Sequence, residues 1–359
     1  MIGKRLKLAR RGTGLSLRGL AAAIGYRVSA QAIGKYERDE AMPGSAVLMA
    51  LADALHTTVE YLLGDPDLVL DDLEFRKNAF TSKRAEARVE ATVLADLERY
   101  LAVEDMLGLP SARWDQPRDA PYPVRHDAVE AERAADALRR HWGLGHEPVP
   151  NLVELLEGRG IKIFARPLET VGGLAAVVRR AAFPAVPFVV VNAEDWGERQ
   201  RFTIAHELGH IVLEISRVLD AERVAHRFAG AFLMPAEALR LEVGKRRSVL
   251  ALGELLALKR VFGVSIQALT HRCRDLDIIS VATYRSLFKE FDRLGWRSHP
   301  YKEYGAMAAE VPNRFGRLCL RALAEGAISE SKAAELLDIG IVDVDDYMRG
   351  TLPSPAAVE

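Results

Sequence analysis

The chain has 359 residues, 49% of them hydrophobic and 28% charged, with a formal net charge of −1. That describes a folded, soluble protein too long for one core, with two or three domains expected, and its charge argues neither for nor against nucleic acid. No apolar run approaches the roughly 20 residues needed to cross a bilayer, and Met1–Leu6 leads into an amphipathic helix without a signal peptide's apolar core. Cys273 and Cys319 are the only cysteines, so neither a disulfide framework nor a cysteine zinc site is expected, and a cytoplasmic protein follows.

Charge is not spread evenly. Residues 1–64 hold nine Lys/Arg against five Asp/Glu, a net of +4, so this end is locally basic. A first helix is expected over 2–11, with Ile2, Leu6 and Ala9 inward and Lys4, Arg5, Arg10 and Arg11 outward, ended by Gly12 and Gly14. Ser16 caps a second from Leu17 to Ile24, and Ser29 a third from Ala30 to Arg38. Pro43 precedes a fourth around Val47–Leu55, and Thr57 or Thr58 caps a fifth ending at Leu63-Gly64. Five short helices with a tight second-to-third turn are the layout of a helix-turn-helix domain.

The stretch LSLRGLAAAIGYRVSAQAIGKYERDEAMPGSAVLMALADALHTTVEYLLG closely resembles the Xre/Cro-like repressor domains. That resemblance covers 1–64 and implies that the Ala30–Arg38 helix enters the major groove of double-stranded operator DNA. Gln31 and Lys35 are then its base-reading candidates, with Arg27 and Ser29 near phosphate. Ala30, Ala32 and Gly34 leave that face poor in side chains, so specificity would rest on dimer spacing and DNA shape. A homodimer is expected, because one short helix reads too few base pairs. The competing reading is a helical protein-interaction module with a basic face.

Asp65-Pro66-Asp67 closes this domain. Over 71–107, Val89, Val93, Leu94, Leu97, Leu101, Met106 and Leu107 recur at helical spacing, with Lys83, Arg84, Glu86, Arg88 and Glu90 on the wet side. That is either a dimerisation stalk or a packed connector. Pro110 to Pro123, with four prolines, reads as a linker rather than an element. An alanine-rich helix is expected from Asp127 to Trp142 and another over Val149–Glu157. The period then changes: Ile161–Arg166, Gly173–Arg179 and Phe188–Asn192 read as strands, separated by Pro167, Pro184 and Pro187.

The small sheet leads into Arg201-Phe202-Thr203-Ile204-Ala205-His206-Glu207-Leu208-Gly209-His210, a helix beginning near Glu198. Residues four apart share a helix face, so His206 and His210 can aim two imidazoles at one ion with Glu207 alongside. Zinc peptidases use this arrangement: two ligands, plus a carboxylate placed to take a proton from activated water. A buried helix with two hydrogen-bonded histidines is the alternative. Catalytic zinc wants a third protein ligand from another element. The next helix, from Asp220 to Met234 with Pro235 as its stop, buries Val224, Ala225, Phe228, Ala229 and Phe232. Glu222 opens it toward the same interior; Asp220 and Glu214 are the other candidates. His226, one turn beyond, could orient Glu222 or the ion from behind.

NAEDWGERQRFTIAHELGHIVLE followed by DAERVAHRFAGAFLMP resembles the ImmA/IrrE family of zinc-dependent endopeptidases, and the two resemblances together cover roughly residues 1–290. Carried over residue by residue, the resemblance implies His206, His210 and Glu222 as ligands for Zn2+ and Glu207 as general base in peptide-bond hydrolysis. Tyr284 and His271 are candidate donors to the transition state.

Beyond it, helices are expected over Leu250–Phe262, from Val264-Ser265, over Ser280–Leu294, over Val311–Glu325 and over Ser329–Leu337, before a loose tail at Pro353-Ser354-Pro355. The Ser329 helix faintly resembles the opening of a second helix-turn-helix, but with few basic residues nearby it suits protein binding or peptidase support. The expected class is mainly α with a small β-sheet (α+β). The expected domains are 1–64 for DNA binding, 65–124 for connector and linker, 125–290 for the metallopeptidase and 291–359 for a helical end region. Function follows in two forms. One is a DNA-binding regulator whose endopeptidase cleaves a repressor or related protein. The other is a non-proteolytic repressor or antitoxin whose zincin fold senses a signal or grips a partner such as a toxin.

Overall fold

The computed structural model describes residues 2–63, 83–109, 113–168, 172–180, 183–297 and 303–351. Asp65-Pro66-Asp67, the first part of the helix expected over 71–107, the start of the proline-rich segment at 110–112 and the tail from 352 lie outside those residues. So do the side chains of 83–88 and 90. The architecture is α+β and mostly helical.

The first five helices are α1 (Gly3–Gly12), α2 (Leu17–Ala23), α3 (Ala30–Glu37), α4 (Ser45–Ala54) and α5 (Val59–Leu63). Hydroxyl caps start two of them: Ser16 Oγ accepts from the Gly19 N–H at 2.9 Å and Ser29 Oγ from Ala32 at 3.2 Å. Leu6, Leu20, Ile33, Leu51, Leu55 and Leu62 close one apolar core. The Arg10 guanidinium ties α1 to α3, donating to both carboxylate oxygens of Glu37 and to the Leu15 carbonyl.

Helix α6 (Lys83–Met106) is a packed connector rather than a free stalk. Val93, Leu97, Tyr100, Leu101 and Val103 are buried on one side. On the other, Gly12 of α1 comes up against Ala91, and Arg5 bonds Glu98 at 3.0 Å. One helix therefore touches both the first core and the rest of the molecule.

Within the proline-rich segment expected to be a linker, Tyr122–Val124 forms a strand, β1, paired in parallel with β5 (Leu213–Ile215). Pro123 hid this strand, since the pairing is to a segment 90 residues away and carries no local signal. Then come α7 (Glu130–His141), α8 (Leu152–Gly158), β2 (Lys162–Arg166), β3 (Gly173–Arg180) and β4 (Phe183–Asn192). The sheet order is β2-β4-β3, with β2 parallel and β3 antiparallel to β4, so β3 is an edge. Alternation along β4 decides the layering. Val189 and Val191 face a core shared with α7 to α14, while Phe188 and Val190 face a second core built with α6 and the final helices. Both faces are covered, which is why the strand reads as one unbroken apolar run.

Helix α9 (Gly197–Val212) carries the His-Glu-x-x-His segment, and α10 (Ala221–Leu233) and α11 (Ala236–Val243) follow. Sequence reading passed over α11. Helices α12 (Leu252–Phe262), α13 (Ile266–Asp275) and α14 (Val281–Arg293) complete the larger core. The chain then crosses back as an extended strap over 303–313 to α15 (Arg314–Ala324), α16 (Glu330–Leu337) and α17 (Val344–Met348). Leu318, Cys319, Ala322, Leu336 and Leu337 pack on the sheet beside α6, so these helices support the sheet. Helix α15 starts three residues later than expected because Pro312 keeps the chain extended. Among the described residues no helix is long and apolar enough to cross a membrane.

Candidate metal centre and adjoining cavity

Helix α9 needs firm anchoring if its side chains are to aim at one point, and its first turns carry that load. Gln200 donates to the carbonyls of Asn192, Ala193 and Asp195. Buried Arg201 reaches the Glu310 carboxylate and the Val149 carbonyl, and Glu310 also accepts from the Val153 N–H at 2.8 Å. Glu198 pairs with Lys259 at 2.7 Å and accepts from the Met307 N–H at 2.9 Å; Lys259 also holds Glu303 at 2.8 Å. Gly197 lies so close under the strap that a Cβ would meet the Met307 and Ala308 carbonyl oxygens at 2.5 Å. Sequence reading missed this network, because Glu303 and Glu310 sit some hundred residues beyond the helix they hold and look like ordinary solvated acids.

One turn apart on α9, His206 and His210 place their Nε2 atoms 3.1 Å from each other. Helix α10 brings in the third donor. Its amino end is set by Asp220, whose Oδ1 accepts from the N–H groups of Glu222 and Arg223 at 3.1 and 3.2 Å. Gly209 lets the two helices close in, a Cβ there standing 3.0 Å from the Phe228 ring. Glu222 then lies 3.2 Å by Oε2 from His206 Nε2 and 3.4 Å by Oε1 from His210 Nε2. Tetrahedral zinc with ligand bonds near 2.0–2.1 Å has donor-to-donor edges of about 3.3 Å. The three distances are of that size, those to Glu222 running to its two separate oxygens, so the donor set has the chemistry a zinc ion needs.

The rival third donors are elsewhere. Glu214 lies on β5 and pairs with Arg125 at 2.9 Å, while Asp220 is spent on the cap. Glu207 is buried and faces the edge strand: a Cβ on Gly173 would come within 3.4 Å of its Cγ and 2.5 Å of Thr203 Cγ2. His226 does not reach the Glu222 carboxylate. Its Nδ1 lies 2.8 Å from the Glu222 backbone carbonyl, and its ring packs edge-on to His206 and against Phe202, with centroids 4.5 and 5.7 Å away.

Beside His226 opens a cavity of about 1430 Å³ that runs along α9 toward the strap. His271 lines it, with Tyr284 Oη 3.2 Å from its ring nitrogens and Phe288 5.0 Å away by centroids. Desolvation against these rings holds the His271 imidazole below the usual histidine range.

On the basic domain, Gln31 and Lys35 are exposed on one face of α3, one turn apart, and Arg27 is exposed in the turn before it. Ser29 spends its oxygen lone pair on the α3 cap. Neither α6 nor the larger domain covers this face.

Comparison with known families agrees with the geometry in two places. The family described as the IrrE N-terminal-like domain, a peptidase family, matches residues 156–274, and the helix-turn-helix family matches residues 6–62. Among curated proteins and solved structures no significant match was found.

Proposed function

We propose that this chain, which joins a helix-turn-helix domain to an IrrE N-terminal-like peptidase domain, is a DNA-binding regulator that hydrolyses a peptide bond in a repressor or related regulatory protein. The observation that carries the reading is the donor triangle of His206, His210 and Glu222, all within 4.8 Å of one another. Zinc bound there supplies Lewis acidity, making a carbonyl more electrophilic and bringing the pKa of water toward 7. The protein's own work is positional. His206 and His210 stay aimed because α9 is clamped at its first turns. Glu207, buried beside Gly173, accepts a proton from the attacking water and returns it to the amine nitrogen as the C–N bond breaks. Having no Cβ, Gly173 lets the edge strand lie close against α9 beside that carboxylate.

The DNA-binding half rests on the exposed Gln31 and Lys35 and on the local positive charge. It acts as a homodimer on operator DNA in the cytoplasm. The deciding experiment compares zinc-loaded full-length protein with its Glu207→Gln variant on candidate repressors, with metal content measured for both. Glu207→Gln should keep its zinc and lose about 10²–10⁴-fold in cleavage. Equal cleavage by the two proteins would remove Glu207 as the base, and no cleavage by either would favour a sensor or partner-gripping role.

A further inference from the structure

The cavity beside the metal centre is electrically lopsided. On the side formed by α10, α13 and the α14 end, five cations line it: Arg223, Arg227, Arg272, Arg274 and Arg297. Three carboxylates answer them. Glu132 serves Arg227 and Arg272, Asp275 also serves Arg227 at 3.0 Å, and Asp292 serves Arg297 at 2.8 Å. Asp127, the remaining acid there, takes the N–H groups of Val129 and Glu130. Among the described residues, no carboxylate pairs with Arg223 or Arg274.

Both guanidiniums are exposed and line the cavity together with His226. Arg223 adjoins Glu222 on α10. Arg274 lies over the Tyr284 ring at 5.3 Å, a stacking that limits its freedom and prepares its fork for a carboxylate. The far end has the opposite balance, with Glu194, Asp195, Glu198 and Glu303 facing Arg199 and Lys259.

Resting on the peptidase reading above, we propose that this cavity binds the substrate chain beside the scissile bond and selects segments with an Asp or Glu there, Arg223 and Arg274 being the specificity-determining residues. An Arg–carboxylate contact is bidentate and directional, so it fixes register as well as adding affinity. Being half-open to water, the contact weakens as salt rises.

The test is binding, which does not depend on turnover. Labelled peptides carrying Glu, Gln or Lys at each position of one scaffold are titrated into full-length zinc-supplemented Glu207→Gln protein. The Glu versions should bind at least tenfold tighter than the Lys versions at one or two positions, and less so at high salt. Joint Arg223→Glu and Arg274→Glu substitution should reverse that order; both side chains are exposed, so the fold is not at risk, and Arg274→Gln gives a milder check. Indifference to peptide charge, or a preference untouched by the charge reversal, overturns the proposal. Wild-type protein on the same peptides, read by mass spectrometry, tests the peptidase reading separately: charge-selective binding with no cut removes the enzyme and leaves the selective groove.

Discussion

Nε2 of His206 and Nε2 of His210 lie 3.1 Å apart, one helical turn from each other on α9. Glu222 stands 3.2 Å by Oε2 from the first and 3.4 Å by Oε1 from the second, so the three groups can converge on one metal ion.

That relationship predicts linkage between metal and stability. A ligand present at about 100 times its Kd stabilises the fold by roughly 2.7 kcal/mol. Full-length protein should hold one zinc per chain by elemental analysis, and a strong chelator should lower its Tm by several degrees. His206→Ala, His210→Ala or Glu222→Ala should abolish both the zinc and the chelator effect. A chelator-insensitive Tm with zinc still counted would place the metal elsewhere.

Gly173 should tolerate nothing larger. Its Cβ position is 2.5 Å from Thr203 Cγ2 and 3.0 Å from the Val190 carbonyl oxygen, so Gly173→Val must push β3 away from α9 and disturb Glu207. Cleavage should drop more than tenfold while zinc content stays at one per chain. Intact activity would show that the edge strand does not set the position of the base.

A buried carboxyl under the sheet predicts a pH dependence of stability. Desolvation raises Glu157 to about 7 from 4.5, offset only in part by the Arg314 N–H, Arg317, Arg314 and Lys162. The folded state thus holds a proton that the unfolded chain loses near 4.5. Stability on this account is full below that pH and falls as pH rises toward 7, by about 3 kcal/mol once both states are ionised. Glu157→Gln should match wild type at pH 5 and exceed its Tm at pH 8. A variant less stable at both values would mean that the charged carboxylate is needed.

For DNA, Lys35→Ala and Gln31→Ala should each weaken operator binding without changing Tm, since both side chains are exposed. If Lys35 meets phosphate instead of a base, its loss lowers the salt dependence by about one counterion without relaxing specificity. Titrations at several salt concentrations separate the two, and unchanged affinity in both variants removes α3 as the reading helix.

Local code was enough for much of the chain. Serine caps at Ser16, Ser29 and Ser329 mark helix starts where the structure has them, because the hydroxyl bonds an N–H only three residues on. One helical turn suffices to put His206 and His210 together, and apolar runs bounded by prolines suffice to find β2, β3 and most of β4. What tertiary structure alone decided spans separate elements: that Glu214 pairs with Arg125 and Asp220 caps α10 while Glu222 stands against both imidazoles, that His226 meets a backbone carbonyl, and that Tyr122–Val124 is a strand. It also decided that Glu303 and Glu310 hold the amino end of α9, and that among the described residues no carboxylate pairs with Arg223 or Arg274 in the cavity. The physical reason is range: capping and periodicity act over a few residues and are written in order, whereas ion pairing and close approach depend on which distant segments the cores bring side by side.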